Sequence, residues 1–413
     1  MAETEKLFIE DLDPAGKRVL VRVDFNVPLD GEGRITDDSR IKAALPTIRY
    51  VIDRGGRAIL VSHLGRPGGK VDPALSLAPV ARRLSELLGR PVAFAADCLG
   101  PPAEAAVAAL KDGDVLLLEN LRFHPGEKKG DDRFARSLAA LADIYIDDAF
   151  GTSHRAHASM TGVPRHLKPA AMGYLLEKEV RYLWQAVEDP RRPFVAIMGG
   201  AKVADKIQVI ANLLEKVDSL LIGGAMAYTF LKVQGVQVGA SRVESVVHDK
   251  QGREIDVAAL VRDILAKADC RGVPIRLPLD HVEADRFAED AQTRVVGRAG
   301  IEPGWMGMDI GPETVREYAE IIREAGTVVW NGPMGVFEWK KFAAGTVAVA
   351  RALGESGATS IIGGGDSVAA VNLSGVADRI THISTGGGAS LEFLEGNVLP
   401  GVAALSNRSE GKI

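Results

Sequence analysis

Lys202 and Lys206 stand four residues apart, just beyond the pair Gly199-Gly200 that closes the apolar run 194–198. Apolar residues recur at Val203, Ile207, Ile210, Leu213 and Leu214, which predicts a helix from Lys202 onward. The stretch therefore reads as strand, glycine turn, helix. Such a turn leaves the backbone N–H groups of the first helical turn pointing outward, with the positive end of the helix dipole behind them. Two lysines there oppose the dipole, at about 0.3–1 kcal/mol each, and a bound polyanion reverses that sign. The chemistry indicated is phosphate binding. The competing reading is a pair of solvated surface lysines.

A second group of cations lies in the first half of the chain. Each member follows a short apolar run: His63 and Arg66 after 57–62, Arg122 after 114–118, and Arg155 after 144–146, while Arg40 opens a helical pattern over 38–52. Asp24 and Asn26 follow the run 18–23 in the same way. These runs alternate with helical spacing over 76–88, 103–110 and 133–141, which predicts βαβ units and a parallel sheet. Ligands of such sheets bind beyond the carboxyl ends of the strands. One sheet edge thus collects an arginine-rich site, and the planar guanidinium fork suits carboxylate or phosphate. A surface ion pair is the alternative at each position taken singly. His154 and His157 have no evident third ligand and are not read as a metal pair; His124, His166 and His248 are read as solvated or hydrogen-bonded.

The second half repeats the alternation. Apolar runs at 194–198, 218–222, 360–362 and 382–383 end in glycine turns at Gly199, Gly223, Gly363 and Gly386 that open onto helices, the last two from Val368 and Ala389. Further strands are expected at 273–277 and 327–330, and helices at 255–268 and 313–324. Bare backbone brought repeatedly to one place fits phosphates and a flat base. Asp366, just past three glycines, is placed for a nucleotide's Mg2+ or as a helix cap; Glu338 is placed for a ribose or for a surface ion pair. A GxxxxGK[ST] loop is absent, and neither half opens on GxGxxG, which weighs against a P-loop NTPase and a nicotinamide dehydrogenase. No Ser/His/Asp or Cys/His pairing stands out as a nucleophile, which fits direct phosphoryl transfer.

The chain has 413 residues, enough for about two to three domains. With 46% hydrophobic and 25% charged residues it reads as a soluble globular protein, and a net charge of −5 offers no general field for nucleic acid. No apolar run approaches the length of a membrane span, and the polar, acidic start is unlike a signal peptide. Cys98 and Cys270 give neither a disulfide framework nor a zinc spacing, which fits a reducing compartment and a cytoplasmic location.

Nine motifs in order, RVDFNVP at 22–28, DDSRI at 37–41, SHLGRP at 62–67, ENLRFH at 119–124, DDAFGTSHRAHAS at 147–159, GGAKVADKI at 199–207, VVWNGPMGVFE at 328–338, GGGDS at 363–367 and STGGGASLEFLEG at 384–396, resemble the phosphoglycerate kinase family over essentially the whole chain. The resemblance implies an α/β protein of two doubly wound, Rossmann-like parallel-sheet domains joined by a hinge helix. Residues 1–172 would bind 3-phosphoglycerate, with 397–413 packing back on them; 173–190 would be the inter-domain helix; 191–396 would bind nucleotide. It implies that Asp24, Phe25, Asn26, Arg40, His63, Leu64, Gly65, Arg66, Arg122 and Arg155 hold 3-phosphoglycerate or its acyl phosphate. Gly200, Lys206, Gly224, Gly307, Asn331, Glu338, Gly364, Gly365, Asp366 and Ser367 would hold Mg-ADP or Mg-ATP, Asp366 at the metal. Arg40 and Lys202 would flank the transferring group, and Gly387 and Gly388 would offer it N–H groups. A monomer with small-molecule substrates and no nucleic-acid or membrane partner is expected. Ser367 stands where the family often has Thr, and 240–255 looks like a longer, exposed loop. The alternatives are a dinucleotide oxidoreductase and a non-catalytic two-domain binding protein.

Overall fold

The computed structural model describes residues 5–248, 251–298 and 300–410. The chain divides into two compact units, Met1–Arg181 with Val398–Ile413, and Tyr182–Asn397.

In the first unit, β1 (Arg18–Val23), β2 (Arg57–Val61), β3 (Val92–Ala95), β4 (Val115–Leu118), β5 (Ile144–Asp148) and β6 (Ala170–Met172) form one sheet in the order β3-β4-β2-β1-β5-β6, every pairing parallel. The central strands are buried along nearly their whole length, which is why they read as unbroken apolar runs. Helices Ser39–Asp53, Ala78–Leu88, Gly100–Ala108 and Asp132–Ala139 make the crossovers. Strand order reverses around β1, so the loops after β1, β2, β4 and β5 meet at one crevice, the place where such sheets take ligands. The stretch 398–410 belongs to this unit. Leu7 N–H donates to the Ser406 carbonyl at 2.8 Å, Lys6 Nζ donates to the Ala403 and Leu405 carbonyls at 2.9 Å each, and Gly401 N–H donates to the Ser153 carbonyl at 2.8 Å.

The second unit holds β7 (Phe194–Met198), β8 (Ser219–Ile222), β9 (Val246–His248), β10 (Glu254–Asp256), β11 (Ile275–Arg276), β12 (Asp280–Ala284), β13 (Thr293–Gly297), β14 (Met306–Ile310), β15 (Thr327–Asn331), β16 (Thr359–Gly363) and β17 (His382–Ile383). Six of these make a parallel sheet, β11-β8-β7-β15-β16-β17. A three-stranded antiparallel sheet, β13-β12-β14, is absent from the expectations above. Its strands mix charged and apolar residues, so they do not read as the unbroken apolar runs that mark the others.

Several boundaries differ from the sequence reading. The helix expected from Lys202 begins only at Ile207, after one tight turn at Ala204–Lys206, so the two lysines do not share a helix face. The helices expected from Val368 and Ala389 begin at Gly365 and Gly387, because glycines adopt helical backbone once an adjacent turn fixes them. The segment 240–255 is exposed, but it pairs as the ribbon β9-β10 instead of forming a loop; residues 249 and 250 of it lie outside the described residues, as do 411–413.

Candidate functional site

Arg22, Arg40, Arg122 and Arg155 all lie near enough to act on His63, and a buried network holds that histidine. Arg22, within β1, is wholly buried. Its Nε donates to Ser159 Oγ at 3.0 Å, its Nη1 to the Val23 carbonyl, and its Nη2 lies 3.2 Å from His63 Nδ1. Ser159 Oγ in turn donates to Glu127 Oε1 at 2.6 Å, and Ser159 N–H to Glu127 Oε2 at 2.9 Å. A guanidinium has no acceptor, so Arg22 donates to Nδ1 and the proton of a neutral His63 sits on Nε2. His63 is 3% exposed, and burial together with Arg22, Arg122, Arg155 and Arg40 holds it well below the ordinary histidine range. It is therefore a neutral donor. Sequence reasoning missed Arg22, Glu127 and Ser159. A charged residue inside the run VLVRV was the one available signal.

Arg122 is buried. Its Nη1 donates to the Gly65 carbonyl at 2.7 Å, and its Nε has no partner among the described residues. Burial, with Arg155 and Arg22 nearby, lowers it to about 10. Asn120 fixes the opposite loop, with Nδ2 donating to the Leu64 carbonyl at 2.7 Å and Oδ1 accepting Leu64 N–H at 3.2 Å. Asn26 Oδ1 accepts Gly65 N–H at 2.8 Å, and Asp24 accepts Arg40 Nη1. Leu64 and Phe25 are buried; Phe25 N–H donates to Ser62 Oγ at 2.8 Å. Arg155 Nε donates to His154 Nε2 at 3.1 Å, and Arg66 is exposed with no ion pair among the described residues. Arg122 and Arg155 likewise carry no carboxylate partner among the described residues. Arg66, Arg122 and Arg155, cations with no ion pair to a carboxylate among the described residues, have the chemistry to take a small polyanion.

The second unit presents a different surface. Gly199 N–H donates to the Asn331 carbonyl at 2.9 Å, Gly200 N–H to the Pro333 carbonyl at 2.8 Å and Gly224 N–H to the Met334 carbonyl at 2.8 Å. A Cβ on Gly224, whose φ is +67°, would fall 2.5 Å from Gly200 N, so only glycine allows these turns to touch. Lys206 Nζ turns back into them, donating to the Gly199 carbonyl at 2.7 Å, the Asn331 carbonyl at 3.1 Å and Asn331 Oδ1 at 2.6 Å. Burial lowers Lys206 to about 8, against the opposing pull of Asp366 and Asp205. Lys202, by contrast, is exposed, 3.6 Å from Asp205. Ser367 Oγ accepts Gly332 N–H at 2.6 Å. Gly364 precedes the helix at φ +91°, Gly365 and Asp366 occupy its exposed first turn, and Asp366 makes no hydrogen bond among the described residues. Gly387 and Gly388 form the first turn of Gly387–Leu394.

A cavity of about 510 Å3 opens beside these turns. Gly200, Gly224, Gly307, Glu338 and Asp366 line it, with Tyr228, Phe287, Met306, Met308 and Val336 as apolar walls. An aromatic and thioether-lined slot beside glycine N–H groups and a carboxylate accommodates a flat base and its phosphates. The walls were missed in the sequence because no turn marks them. Gly307 fits closely under Tyr228: an added Cβ would lie 2.0 Å from the phenolic oxygen.

The family model described as phosphoglycerate kinase matches residues 9–397. A phosphoglycerate kinase of Gloeobacter violaceus is 60% identical over 393 residues, covering 95% of this chain and 96% of the relative. One of Moorella thermoacetica is 59% identical, covering 98% of this chain and 100% of the relative. The structure of phosphoglycerate kinase from Coxiella burnetii superposes with a TM-score of 0.87 at 42% identity, covering 97% of this chain and 98% of that one. The dinucleotide oxidoreductase alternative finds no support in these likenesses. With an anion crevice at one sheet edge, glycine turns beside a base-sized cavity at another, and relatives matched along nearly its whole length, the chain belongs to the phosphoglycerate kinase family.

Proposed function

We propose that the family reaction is divided in this chain between the arginine crevice of the first unit and the glycine turns of the second. The reaction is phosphoryl transfer between 1,3-bisphosphoglycerate and ADP, giving 3-phosphoglycerate and ATP, and it runs in both directions. His63 donates through Nε2, and Arg66, Arg122 and Arg155 pair with the carboxylate and phosphate of 3-phosphoglycerate, while Asp24 and Asn26 fix Arg40 and the Gly65 turn. Lys206, Asn331, Ser367 and the N–H groups that open the helix Gly365–Ser374 receive the nucleotide phosphates, and Glu338 the ribose. A β-phosphate oxygen of ADP attacks the acyl phosphate in line. Arg40, Lys202 and the N–H groups of Gly387 and Gly388 neutralise the oxygens of the transferring group.

The residues present suit Mg2+. Asp366 offers an exposed carboxylate with no hydrogen bond of its own among the described residues, and Mg2+ is held by one or two carboxylates plus substrate phosphates while keeping several waters. Bound there with the nucleotide, Mg2+ supplies charge neutralisation. The helix Tyr174–Glu188 carries the division between the two units, which supports closure about 173–193 as the step that unites the substrates and excludes water. The chain acts as a cytoplasmic monomer.

The observation that carries the reading is the buried Arg122 beside a neutral His63, with no carboxylate in an ion pair with it among the described residues. The test is NADH loss in a coupled assay with 3-phosphoglycerate and Mg-ATP. Arg66→Ala should weaken 3-phosphoglycerate binding at least about tenfold, the scale of a charge-assisted hydrogen bond, and leave nucleotide affinity unchanged. Equal loss of both would contradict the division of sites. Lys202→Ala should lower kcat far more than it raises either KM; a change confined to KM would remove its role at the transferring group.

A further inference from the structure

The loop after β3 and the turn before the short helix Pro125–Lys129 bring Asp97, Cys98 and His124 together. One ligand atom from each, a carboxylate oxygen, a thiol sulfur and an imidazole nitrogen, lies within 4.8 Å of the other two. His124 Nε2 is 2.7 Å from Asp97 Oδ1, and the same oxygen accepts the N–H of Cys98 at 2.7 Å. The His124 and Asp97 side chains are 32% and 42% exposed, whereas Cys98 is buried. None of the three is among the residues assigned to either substrate.

We propose that Asp97, Cys98 and His124 form a binding site for a borderline-soft divalent cation of the Zn2+ kind, separate from the Mg2+ that accompanies the nucleotide. The donor set of sulfur, imidazole nitrogen and carboxylate oxygen selects Zn2+ over Mg2+. With Zn–S near 2.3 Å and Zn–N near 2.0–2.1 Å, tetrahedral donors stand about 3.3–3.8 Å apart. The site forms when the His124–Asp97 pair widens and the sulfur draws in, each by about 1 Å, a side-chain adjustment. The metal–sulfur bond forms as the thiol releases its proton to water; the proton that His124 Nε2 donates to Asp97 moves to the other ring nitrogen, so imidazole and carboxylate together release none. Two half-exposed ligands over a buried sulfur leave the fourth position to water. The cation would tie the segment before Gly100–Ala108 to the turn Leu121–Phe123 that carries Arg122.

Co2+ is the probe, titrated into chelator-stripped protein without nucleotide. The expected result is one equivalent bound with tetrahedral visible bands and a near-ultraviolet thiolate-to-cobalt band, displaced by Zn2+. Cys98→Ala should abolish the thiolate band, and Cys270→Ser, at the exposed cysteine, should retain it. His124→Gln, at a part-exposed position that does not threaten folding, should weaken Co2+ binding at least about tenfold. Zn2+ should raise the melting midpoint of the wild-type protein and not of His124→Gln. A thiolate band that survives Cys98→Ala, or a spectrum with no thiolate band, would overturn the site. Mg-dependent turnover of His124→Gln, measured separately, should match wild type, so the failure of this site is distinguishable from failure of the kinase reading.

Discussion

Lys206 is held at about 8 because its ammonium is buried among the Gly199 and Asn331 carbonyls and the Asn331 side-chain oxygen, with no carboxylate in contact. Between pH 8 and the ordinary lysine value of 10.5, the folded protein carries fewer protons on this residue than the unfolded chain does. The stability assigned to it therefore rises with pH across that window and is lowest below pH 8. Nucleotide phosphates select the protonated form. ADP affinity should fall about tenfold per pH unit above pH 8, and ADP binding at pH 8 should take up protons, which calorimetry in buffers of different ionisation enthalpy would measure. Lys206→Met should bind ADP weakly with a flat pH dependence; a wild-type-like slope in that variant would assign the titration to another group. Arg122 behaves differently, because at about 10 it remains a cation throughout the working range and only its partner is missing. Arg122→Met should leave the ligand-free protein at least as stable as wild type while weakening 3-phosphoglycerate binding by about 1.5–3 kcal/mol, read by thermal midpoint and by titration.

At the scale of elements, the glycine contacts are the least tolerant part of the second unit. Gly307→Ala places a methyl 2.0 Å from the Tyr228 phenolic oxygen, so the buried ring must shift into the cavity that it lines. It should raise the KM for ADP and lower the melting midpoint, the latter by the about 1–3 kcal/mol typical of overpacking. The same elements show what the sequence could and could not reveal. β1, β2, β4, β7 and β15 were legible because strands buried on both faces are unbroken apolar runs, and the residues that follow them were legible because that topology sends ligands to one edge. Lys202 was placed on a helix because its spacing from Val203 onward is helical. In the structure Glu244 accepts Ala204 N–H at 3.1 Å and caps the chain there, a tertiary contact that no local period encodes. Arg22, Ser159 and Glu127 were invisible for the same reason: each reads as an ordinary strand, turn or surface residue until the fold brings them together.

At the scale of the whole chain, the first unit is completed by residues from both ends. Leu399 and Val402 are wholly buried in it, and Gly401 leaves no room for a side chain against Ser153, two residues from Arg155. Removing Val398–Ile413 should lower the first unit's melting transition and abolish 3-phosphoglycerate binding, while ADP binding by the second unit persists. Calorimetry with each ligand in turn would separate the two effects, and loss of both affinities together would show that the units do not fold independently.

That closing segment also sets an order of events during synthesis. The second unit is continuous in sequence, so all of its internal contacts form within one stretch, Tyr182–Asn397. The first unit, though its sheet is made earliest, must wait until the second unit has been synthesised before the strap that carries Leu405 and Ser406 reaches Lys6 and Leu7. Until then the nascent chain carries an arginine crevice whose Ser153–Arg155 turn has no support from Gly401. Completion of the first unit thus comes late in synthesis, after the whole of the second unit has been made.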